Sequence, residues 1–370
     1  MEPKVQQLEL FRTSIPMRGF DHAAARRVKA ESLLAKFTFS DGSVAWGETL
    51  PREYVTGESF GSVVSDVTDY LWPLCCEAGL LDGESTEPLP LEHDGRLISA
   101  ASALVETARA SRVLAKCPPQ KITARVSGIL GSADPAKTAK RLRMMWLGGL
   151  RDFKLKLGFG EDIDRENLHI VRQKIHRAIH RRKASLRVDV NGGWDAGEVA
   201  PRTEELHREY GVCCVEQPVF CDTETFLMAA RACAVPLMAD ESLRTWDEAQ
   251  MLLAEPAHVA WNVRLSKCGG AGPVMRLLTE AAERGVMVSF GCMVGETSIL
   301  SALQRRVLMC APQPRFVEGN WGKLLLKDDI TKKSLRFGLG GRLRAIKGIG
   351  YEIDTDKLAY YAKPLATLKR

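Results

Sequence analysis

Two lysines separated by one residue interrupt an apolar run, FKLKLG at Phe153–Gly158. Alternate side chains of a strand point the same way, so Lys154 and Lys156 share one face. Two ammonium groups on a buried strand repel each other, and neither lysine has an obvious local carboxylate partner. Polar residues also end the later apolar runs: Asp189 with Asn191, Glu216, Asp240 with Glu241, and Lys267.

Three carboxylates from consecutive strands, Asp189, Glu216 and Asp240, would converge on one small volume. Their mutual repulsion would raise their pKa values unless a cation lies among them, and oxygen ligands on rigid strands suit Mg²⁺, for which Mn²⁺ can substitute. A divalent cation bound to a substrate carboxylate stabilises the enolate that forms when the α-proton leaves. The neighbouring ammonium and the metal charge lower a lysine's pKa, which makes Lys156 a workable base.

The elements that position these residues follow a regular rhythm from Lys121 onward, where short apolar runs alternate with helical segments. Each strand-then-helix unit spans roughly 25 to 35 residues. The sequence predicts an α/β fold, a (β/α)8-type barrel, in which strand ends form the active-site floor. The eight runs are KITARVSGIL, DFKLKLG, SLRVDVNGG, GVCCVEQP, VPLMADES, HVAWNVRLSK, GVMVSFGC and PRFVEG.

A different pattern precedes the barrel. VQQLELFRTSIP and ESLLAKFTFSDGSVAWGE read as strands with a turn at Asp41–Gly42, and LISAASALVETARASRVLA reads as a helix. We therefore predict an α+β N-terminal capping domain at 1–120 and the barrel at 121–318. Residues 319–370 are predicted to pack back on the barrel and the cap.

Composition narrows the function classes. A net charge of +6 over 370 residues, with basic residues spread along the chain, argues against nucleic-acid binding. The ten cysteines include no C-x-x-C pair, and no stretch approaches the roughly 18 apolar residues of a membrane span. The start of the chain lacks an apolar signal core. We expect a cytoplasmic protein, a homo-oligomer, with a small-molecule partner and no membrane or nucleic-acid partner.

Motifs along nearly the whole chain resemble the enolase superfamily, in its muconate lactonizing enzyme subgroup. They run from FDHAAARRVKAESLL and WGETLPREYVTGES through KLKLG, VDVNGGW, VEQP, ADES, NVRLSKCGG and GCMVGET, in that order. The resemblance implies Asp189, Glu216 and Asp240 as metal ligands, Lys156 and Lys267 as acid/base groups on opposite faces of the substrate, and Lys154 as electrostatic support. It also implies two loops that close over the substrate, around 15–25 and 48–58.

The sequence also departs from related subgroups. VSFGCMVGET lacks the histidine base that mandelate racemases have at the seventh strand, which disfavours that subgroup. Dipeptide epimerases resemble this barrel but carry Asp-x-Asp after the eighth strand to hold a substrate ammonium. Here Glu318 and Asn320 occupy those positions, so one of the two carboxylates is replaced by an amide. MVGETS replaces a Met-x-Glu-Ser pattern, which leaves the role of Glu296 open.

Each residue also has a plainer interpretation. A single lysine at a strand end often snorkels to solvent, and a single aspartate often caps the next helix. Their occurrence at successive strand ends favours the metal site. The substrate-contact candidates are His22, Arg52 and Tyr54, for which the alternative role is stabilisation of the capping loops, together with Asn191, Glu241, Glu296, Glu318 and Asn320.

The function that follows is Mg²⁺-dependent abstraction of a proton α to a carboxylate by an isomerase, either a racemase or epimerase or a cycloisomerase. The alternatives are β-elimination, as in o-succinylbenzoate synthase-like lyases, and a non-catalytic relative that only binds an acid. Two lysines on opposite faces favour catalysis, because a binding protein has no need of both.

Overall fold

A computed structural model describes residues 3–22, 25–83 and 85–370 of the chain. An antiparallel sheet comes first, formed by β1 (Val5–His22), β2 (Ala25–Phe39) and β3 (Val44–Thr49). Gly42 takes a φ of 79° in the predicted turn between β2 and β3. The segment 15–25, expected to be a loop, is instead strand in its described residues, because β1 and β2 continue their pairing as far as His22 and Ala25.

Short helices and one long helix follow this sheet. Gly47 explains how closely the long helix approaches β3, because a Cβ at that position would lie 2.0 Å from the Leu104 carbonyl oxygen. The apolar faces of the sheet and the long helix form one core. The elements are α1 (Glu53–Thr56), α2 (Phe60–Ser65), a π-helical turn (Asp66–Leu71), α3 (Trp72–Glu77), β4 (Glu92–His93), β5 (Arg96–Leu97) and α4 (Ser99–Ala115).

Eight parallel strands then form a curled sheet in sequence order. The two edges meet, because the Ser127 amide donates to the Val317 carbonyl at 2.8 Å and Val126 bridges Val317 in parallel. All eight predicted runs contain a strand, which confirms the predicted barrel-type α/β fold. The strands are β6 (Gly128–Leu130), β7 (Asp152–Lys156), β8 (Ser185–Asp189), β9 (Val212–Glu216), β10 (Leu237–Ala239), β11 (Val259–Val263), β12 (Met287–Phe290) and β13 (Phe316–Val317).

Helices cover the outside of the curled sheet and bury its outward-facing apolar side chains, whereas several strands carry charged residues at alternate positions, as β7 does with Lys154 and Lys156. Local capping marks where the helices begin. Thr245 and Glu248 form a capping box at the start of one of them. The helices are α5 (Pro135–Leu147), α6 (Glu161–His180), α7 (Val199–Tyr210), α8 (Thr223–Arg231), α9 (Trp246–Leu252), α10 (Ala271–Arg284) and α11 (Ser298–Cys310).

The C-terminal segment crosses from the barrel to the first sheet. It contains short 3₁₀ turns, α12 (Thr355–Tyr361) and β14 (Ala362–Lys369), and β14 pairs antiparallel with β1. The boundaries at residues 120 and 318 stay predictions. Within 3–22, 25–83 and 85–370, no helix combines the length and apolar character needed to cross a membrane.

Candidate active site

Charged side chains gather at the carboxyl ends of neighbouring strands. Backbone register puts them level, because Lys156 is opposite Asp189 and Asp189 is opposite Glu216. Asp240 follows the end of β10, and Lys267 lies four residues beyond β11. The three carboxylates and Lys267 have no solvent exposure, and Lys154 and Lys156 keep 2% and 9%. The strand ends therefore bring together, out of water, the residues that the sequence predicted.

Lys154 is the cation shared by most of the acidic groups. Its Nζ lies 3.1 and 3.0 Å from the Glu216 carboxylate oxygens, 2.9 Å from Glu318 Oε1 and 3.5 Å from Asp189 Oδ2. Burial alone would lower the pKa of Lys154, but the negative charges of Glu216, Glu318 and Asp189 outweigh it and raise the pKa above its usual value. Lys154 is therefore a fixed positive charge at the centre of the cluster.

Lys156 and Lys267 hold the two ends of the cluster. Lys156 Nζ donates to Asp189 Oδ2 at 3.0 Å and to Asn191 Oδ1 at 3.2 Å. Lys267 Nζ donates to Asp240 Oδ1 at 2.9 Å, and at 2.6 Å each to the carbonyl oxygens of Asp240 and Asn262. β7 and β11 are four strands apart in an eight-stranded order, so the two lysines approach from opposite sides of the barrel.

The carboxylates differ in how far their charge is compensated. Burial opposes ionisation in each case, but Lys156 and Lys154 lower the pKa of Asp189, and Arg264 and Lys267 lower that of Asp240. Burial prevails at Glu216, where the surrounding acids add to it despite Lys154, and the pKa rises to about 7. Glu216, in the middle of the row, is the carboxyl least compensated by the side-chain cations.

Sequence reasoning missed Arg187, Asn262 and Arg264. Arg187 lies inside the barrel on β8, bonded to Glu318 at 3.2 Å, and its guanidinium stacks on the Phe316 ring at 4.0 Å. Asn262 Nδ2 donates to Glu216 Oε1 at 2.7 Å. Arg264 bonds Asp240 directly and comes within 3.8 Å of Glu216 Oε1. The alternation of side chains along a strand could have identified Arg187, because it precedes Asp189 by two residues and therefore lies on the same face of β8.

Gln217 is a further positioning residue that was missed. Its Oε1 accepts the backbone N–H groups of Asp240 at 2.9 Å and Ser242 at 3.2 Å. Its Nε2 donates to the Val219 carbonyl at 2.9 Å and the Ser242 hydroxyl at 2.8 Å. Both ends of this amide are used to fix the backbone that carries Asp240.

The substrate-contact candidates fall into different places. Asn191 bonds Lys156 within the cluster. Glu241 is buried, with Oε2 lacking a hydrogen-bond partner among the described residues, and burial raises its pKa to about 8. Burial also raises the pKa of Glu296 to about 8, and its Oε1 accepts the Met293 amide at 2.7 Å. Glu318 pairs with Lys154 and Arg187. A substrate role for these residues stays a prediction.

The remaining candidates are Asn320, Arg52, Tyr54 and His22. Asn320 accepts from Arg305 Nε at 2.6 Å and donates to Gln304 Oε1 at 2.6 Å, which ties it to α11. Arg52 is buried and donates to the carbonyl oxygens of Pro51 and Val294. The Tyr54 residue is 54% exposed. The side chain of His22 lies outside the described part of the structure.

The donor set of Asp189, Glu216 and Asp240 fits a hard divalent cation such as Mg²⁺ or Mn²⁺, because all three supply carboxylate oxygens from adjacent strands. Their oxygens are engaged by lysine, arginine and asparagine side chains. Among the described residues, no three His, Cys, Asp or Glu side chains are arranged closely enough to hold a metal ion. A bound cation would therefore have to share these oxygens with the side-chain donors or displace them.

Comparison with known proteins assigns the family. A family model described as enolase C-terminal domain-like matches residues 137–357, more than half of the chain. The chain belongs to this family. It is 26% identical to N-succinyl-L-Arg/Lys racemase of Bacillus cereus, over 96% of this chain and 97% of that one. The solved structure of the same racemase matches with a TM-score of 0.81 at 25% identity, covering 98% of this chain and 100% of the other.

Two further relatives show the range of activities. L-Ala-D/L-Glu epimerase of Bacillus subtilis is 27% identical over 79% of this chain and 81% of its own length. Muconate cycloisomerase 1 of Pseudomonas putida is 28% identical over 64% of this chain and 63% of its own. The predicted resemblance to the enolase superfamily is confirmed, and so is the prediction of an isomerase-type enzyme, because these relatives are racemases, epimerases and cycloisomerases.

Proposed function

We propose that this protein is a Mg²⁺-dependent racemase or epimerase that removes the proton α to a carboxylate and returns it from the other side. The observation that carries the proposal is the placement of Lys156 and Lys267 at opposite ends of one buried row of carboxylates. Inversion at a carbon, with the proton removed from one face and returned to the other, uses one acid/base group on each face. An acid-binding protein would gain nothing from burying a lysine on each side.

Asp189, Glu216 and Asp240 would hold the divalent cation, Mg²⁺ or Mn²⁺. When bound, the cation neutralises the charge that develops on the substrate carboxylate as the α-proton leaves. Lys154 adds a positive charge that does not depend on the metal, since three carboxylates keep it protonated. The mouth of the barrel thus favours an anionic substrate even though it is rich in acidic residues.

The two acid/base lysines are not equivalent. Lys267 has no solvent exposure, and its Nζ has three acceptors within 2.9 Å, the Asp240 carboxylate and the carbonyl oxygens of Asp240 and Asn262. Lys156 has two side-chain acceptors, and 11% of its side chain is exposed. Lys156 is therefore the less tightly held of the two lysines and the more accessible to a substrate.

The substrate is a small carboxylic acid, and we place N-acylated amino acids first. Glu318 is paired with Lys154 and Arg187, and Asn320 with Arg305 and Gln304, so neither is arranged to receive a substrate ammonium. An N-acyl group removes that ammonium. The Bacillus cereus relative is by name a racemase of N-succinylated amino acids, which supports the same choice.

The test is α-proton exchange in D₂O with Mg²⁺, followed by NMR. The panel contains N-succinyl-L-arginine, N-succinyl-L-lysine, other N-acyl amino acids, dipeptides, muconate and the acid precursor of o-succinylbenzoate. Deuterium in both enantiomers of an N-acyl amino acid supports the proposal. Lactone formation or loss of water from another acid would assign cycloisomerase or lyase activity instead. Binding without any exchange would indicate a non-catalytic relative.

A cytoplasmic location and a homo-oligomeric state remain predictions of the sequence. Light scattering on the purified protein tests the second directly, and a monomer would contradict it.

A further inference from the structure

Arg264 is the least well satisfied cation at the mouth of the barrel. Its Nη2 bonds Asp240 Oδ2, its next contact to a carboxylate is 3.8 Å from Glu216 Oε1, and its Nη1 lies 3.5 Å from the Met293 sulfur. A thioether is a weak acceptor. The Nε of Arg264 is buried without a hydrogen-bond partner among the described residues. One strong contact therefore holds a guanidinium that has five N–H donors.

The other mouth cations are better held. Lys267 has an acceptor for each of its three hydrogens, and Lys154 is shared by three carboxylates. Arg187 also leaves Nε without a partner, but its terminal nitrogens bond two hydroxyl groups and Glu318. Arg264 also keeps 12% of its side chain exposed, against 0% for Arg187 and Lys267. Moving Arg264 breaks fewer strong bonds than moving any of these three.

The position of Arg264 matters because its contacts are two of the three predicted metal ligands. Asp240 Oδ2 and Glu216 Oε1 both face its Nη2. The other Asp240 oxygen, Oδ1, is already bonded to Lys267. A cation that binds Asp240 therefore meets a positively charged side chain at each carboxylate oxygen. Of these two side chains, Arg264 has fewer strong contacts than Lys267.

We propose that Arg264 competes with the divalent cation for Asp240 and Glu216, and so sets how tightly this protein binds its metal. This inference rests on the proposed function only for the identity of the ligands. The guanidinium bonds Asp240 and comes within 3.8 Å of Glu216, so a divalent cation held by these carboxylates would meet it directly. Metal binding displaces it from Asp240 Oδ2, which weakens metal binding by the free energy of that contact and by the repulsion between two cations.

The test is Mn²⁺ affinity, measured by isothermal titration calorimetry and by the electron paramagnetic resonance signal of free Mn²⁺. Arg264→Met removes the charge at nearly constant shape. We expect the dissociation constant to fall about tenfold or more, since a buried charge that opposes binding is lost. Arg264→Lys keeps a charge but not the fork of donors, and we expect an intermediate affinity. Arg284→Met, an exposed arginine paired with Glu280 on α10, controls for net charge and should leave affinity unchanged.

Thermal unfolding provides a second readout. Without metal, Arg264→Met should unfold at a lower temperature than the wild type, because Asp240 and Glu216 lose a partner. With saturating Mn²⁺ the rise in unfolding temperature should be larger in the variant than in the wild type. If Arg264→Met is too unstable to purify, the comparison of Arg264→Lys with the wild type carries the same test.

The outcomes separate this inference from the proposed function. If the wild type binds Mn²⁺ and folded Arg264 variants bind it equally or more weakly, Arg264 orders the ligands and the competition is refuted, while the metal-dependent enzyme stands. If only the Arg264 variants bind Mn²⁺, the competition is supported in its strongest form. If neither the wild type nor any variant binds Mn²⁺, both the competition and the metal site are wrong.

Discussion

Two regions of this molecule bury carboxylates, and they compensate them by different means. At the mouth of the barrel, Asp189, Glu216 and Asp240 face side-chain cations. Where the first sheet and its long helix meet the barrel, buried carboxylates instead accept hydrogen bonds from backbone N–H groups at helix N-termini. The first kind of partner is a side chain, whereas the second is part of the main chain.

Glu48 and Glu106 form the second region. Glu48 lies at the end of β3 and accepts from the Thr297 amide at 3.1 Å and the Leu300 amide at 3.3 Å, at the start of α11. Glu106, on α4, accepts from the Gly272 amide at 2.8 Å at the start of α10. A carboxylate at a helix N-terminus is favoured by the helix dipole and by the free N–H groups there. These two residues attach the N-terminal unit to two barrel helices.

The two regions differ in what they permit. A side-chain cation can move aside and leave its carboxylate to a metal ion or a substrate. Removing a helix-capping carboxylate leaves buried N–H groups without partners, at about 1–3 kcal/mol each. We therefore assign catalysis to the mouth of the barrel. We assign attachment of the N-terminal unit to the junction, the region around Glu48 and Glu106. The predictions test whether the two regions have these separate roles.

Metal removal gives the largest expected effect. Exhaustive chelation should reduce α-proton exchange to background, and Mg²⁺ or Mn²⁺ should restore it, because the proposed reaction depends on a cation held by the carboxylates at the mouth of the barrel. Activity is followed by NMR and folding by circular dichroism. The spectrum should stay native after chelation, since side-chain cations still compensate the mouth. Full activity in chelated protein would contradict the metal site.

Loss of either acid/base lysine comes next. Lys156→Ala or Lys267→Ala should lower racemisation by about 10³-fold, within the range for a missing general acid or base. Each variant should still exchange the α-proton of one enantiomer, with opposite preferences, because one proton path remains. Lys154→Met should slow exchange of both enantiomers, since it serves neither face. The measurement is deuterium incorporation into each pure enantiomer.

The matched control for the lysine variants is Lys332→Ala, an exposed lysine paired with Glu352. It should leave both exchange rates unchanged. If Lys156→Ala turns over normally, with folding and metal content intact, the lysine pair does not exist for proton abstraction and the mouth loses its assigned chemistry.

The sequence predicted more of the mouth of the barrel than of the junction. Asp189, Glu216, Asp240 and both lysines were found from strand ends, because parallel strands bring those ends to one edge whatever the helices do. Arg187 and Asn262 were missed because they lie within their strands rather than at the strand ends. Arg264 directly follows β11, but Lys267 was taken as the polar residue that ends that run. The roles of Glu48 and Glu106 depend on contacts 249 and 166 residues away in sequence. No local pattern reports such contacts.

Glu48 in the junction should make the free energy of unfolding depend on pH. Burial raises the pKa of Glu48 to about 7, although the bonds from Thr297, Ser32 and Leu300 oppose it. The folded protein therefore keeps this proton while the unfolded chain, with its usual pKa near 4.5, releases it. The contribution of Glu48 to stability is full below the unfolded pKa and is lost as the pH rises toward 7, by up to about 3 kcal/mol.

Glu48→Gln tests this dependence because the amide does not titrate. Urea unfolding at pH 5 and pH 8 should show a smaller loss of stability with rising pH in the variant than in the wild type. Other buried acids titrate in both proteins and cancel in the comparison. Exchange activity per folded molecule should be unchanged if the junction only attaches the two units. Identical pH slopes would show that Glu48 is not buried as an acid.

The smallest expected effect concerns Asn320. It is two residues from Glu318, which pairs with Lys154 at the mouth of the barrel, but its own side chain bonds Arg305 and Gln304 on α11. Asn320→Asp places a second carboxylate two residues after Glu318, at the spacing of the Asp-x-Asp pair of dipeptide epimerases. We expect no gain in dipeptide exchange, because Arg305 holds this side chain against α11 and the new carboxylate would pair with that guanidinium.

Aspartate also tolerates the φ of 56° at this position. Stability should change by only about 1 kcal/mol, since the bond to Gln304 is lost while the bond to Arg305 gains charge. NMR exchange on a dipeptide panel, with urea unfolding in parallel, measures both. Appearance of dipeptide epimerisation in Asn320→Asp would move Asn320 into the mouth and redraw the boundary between the two regions.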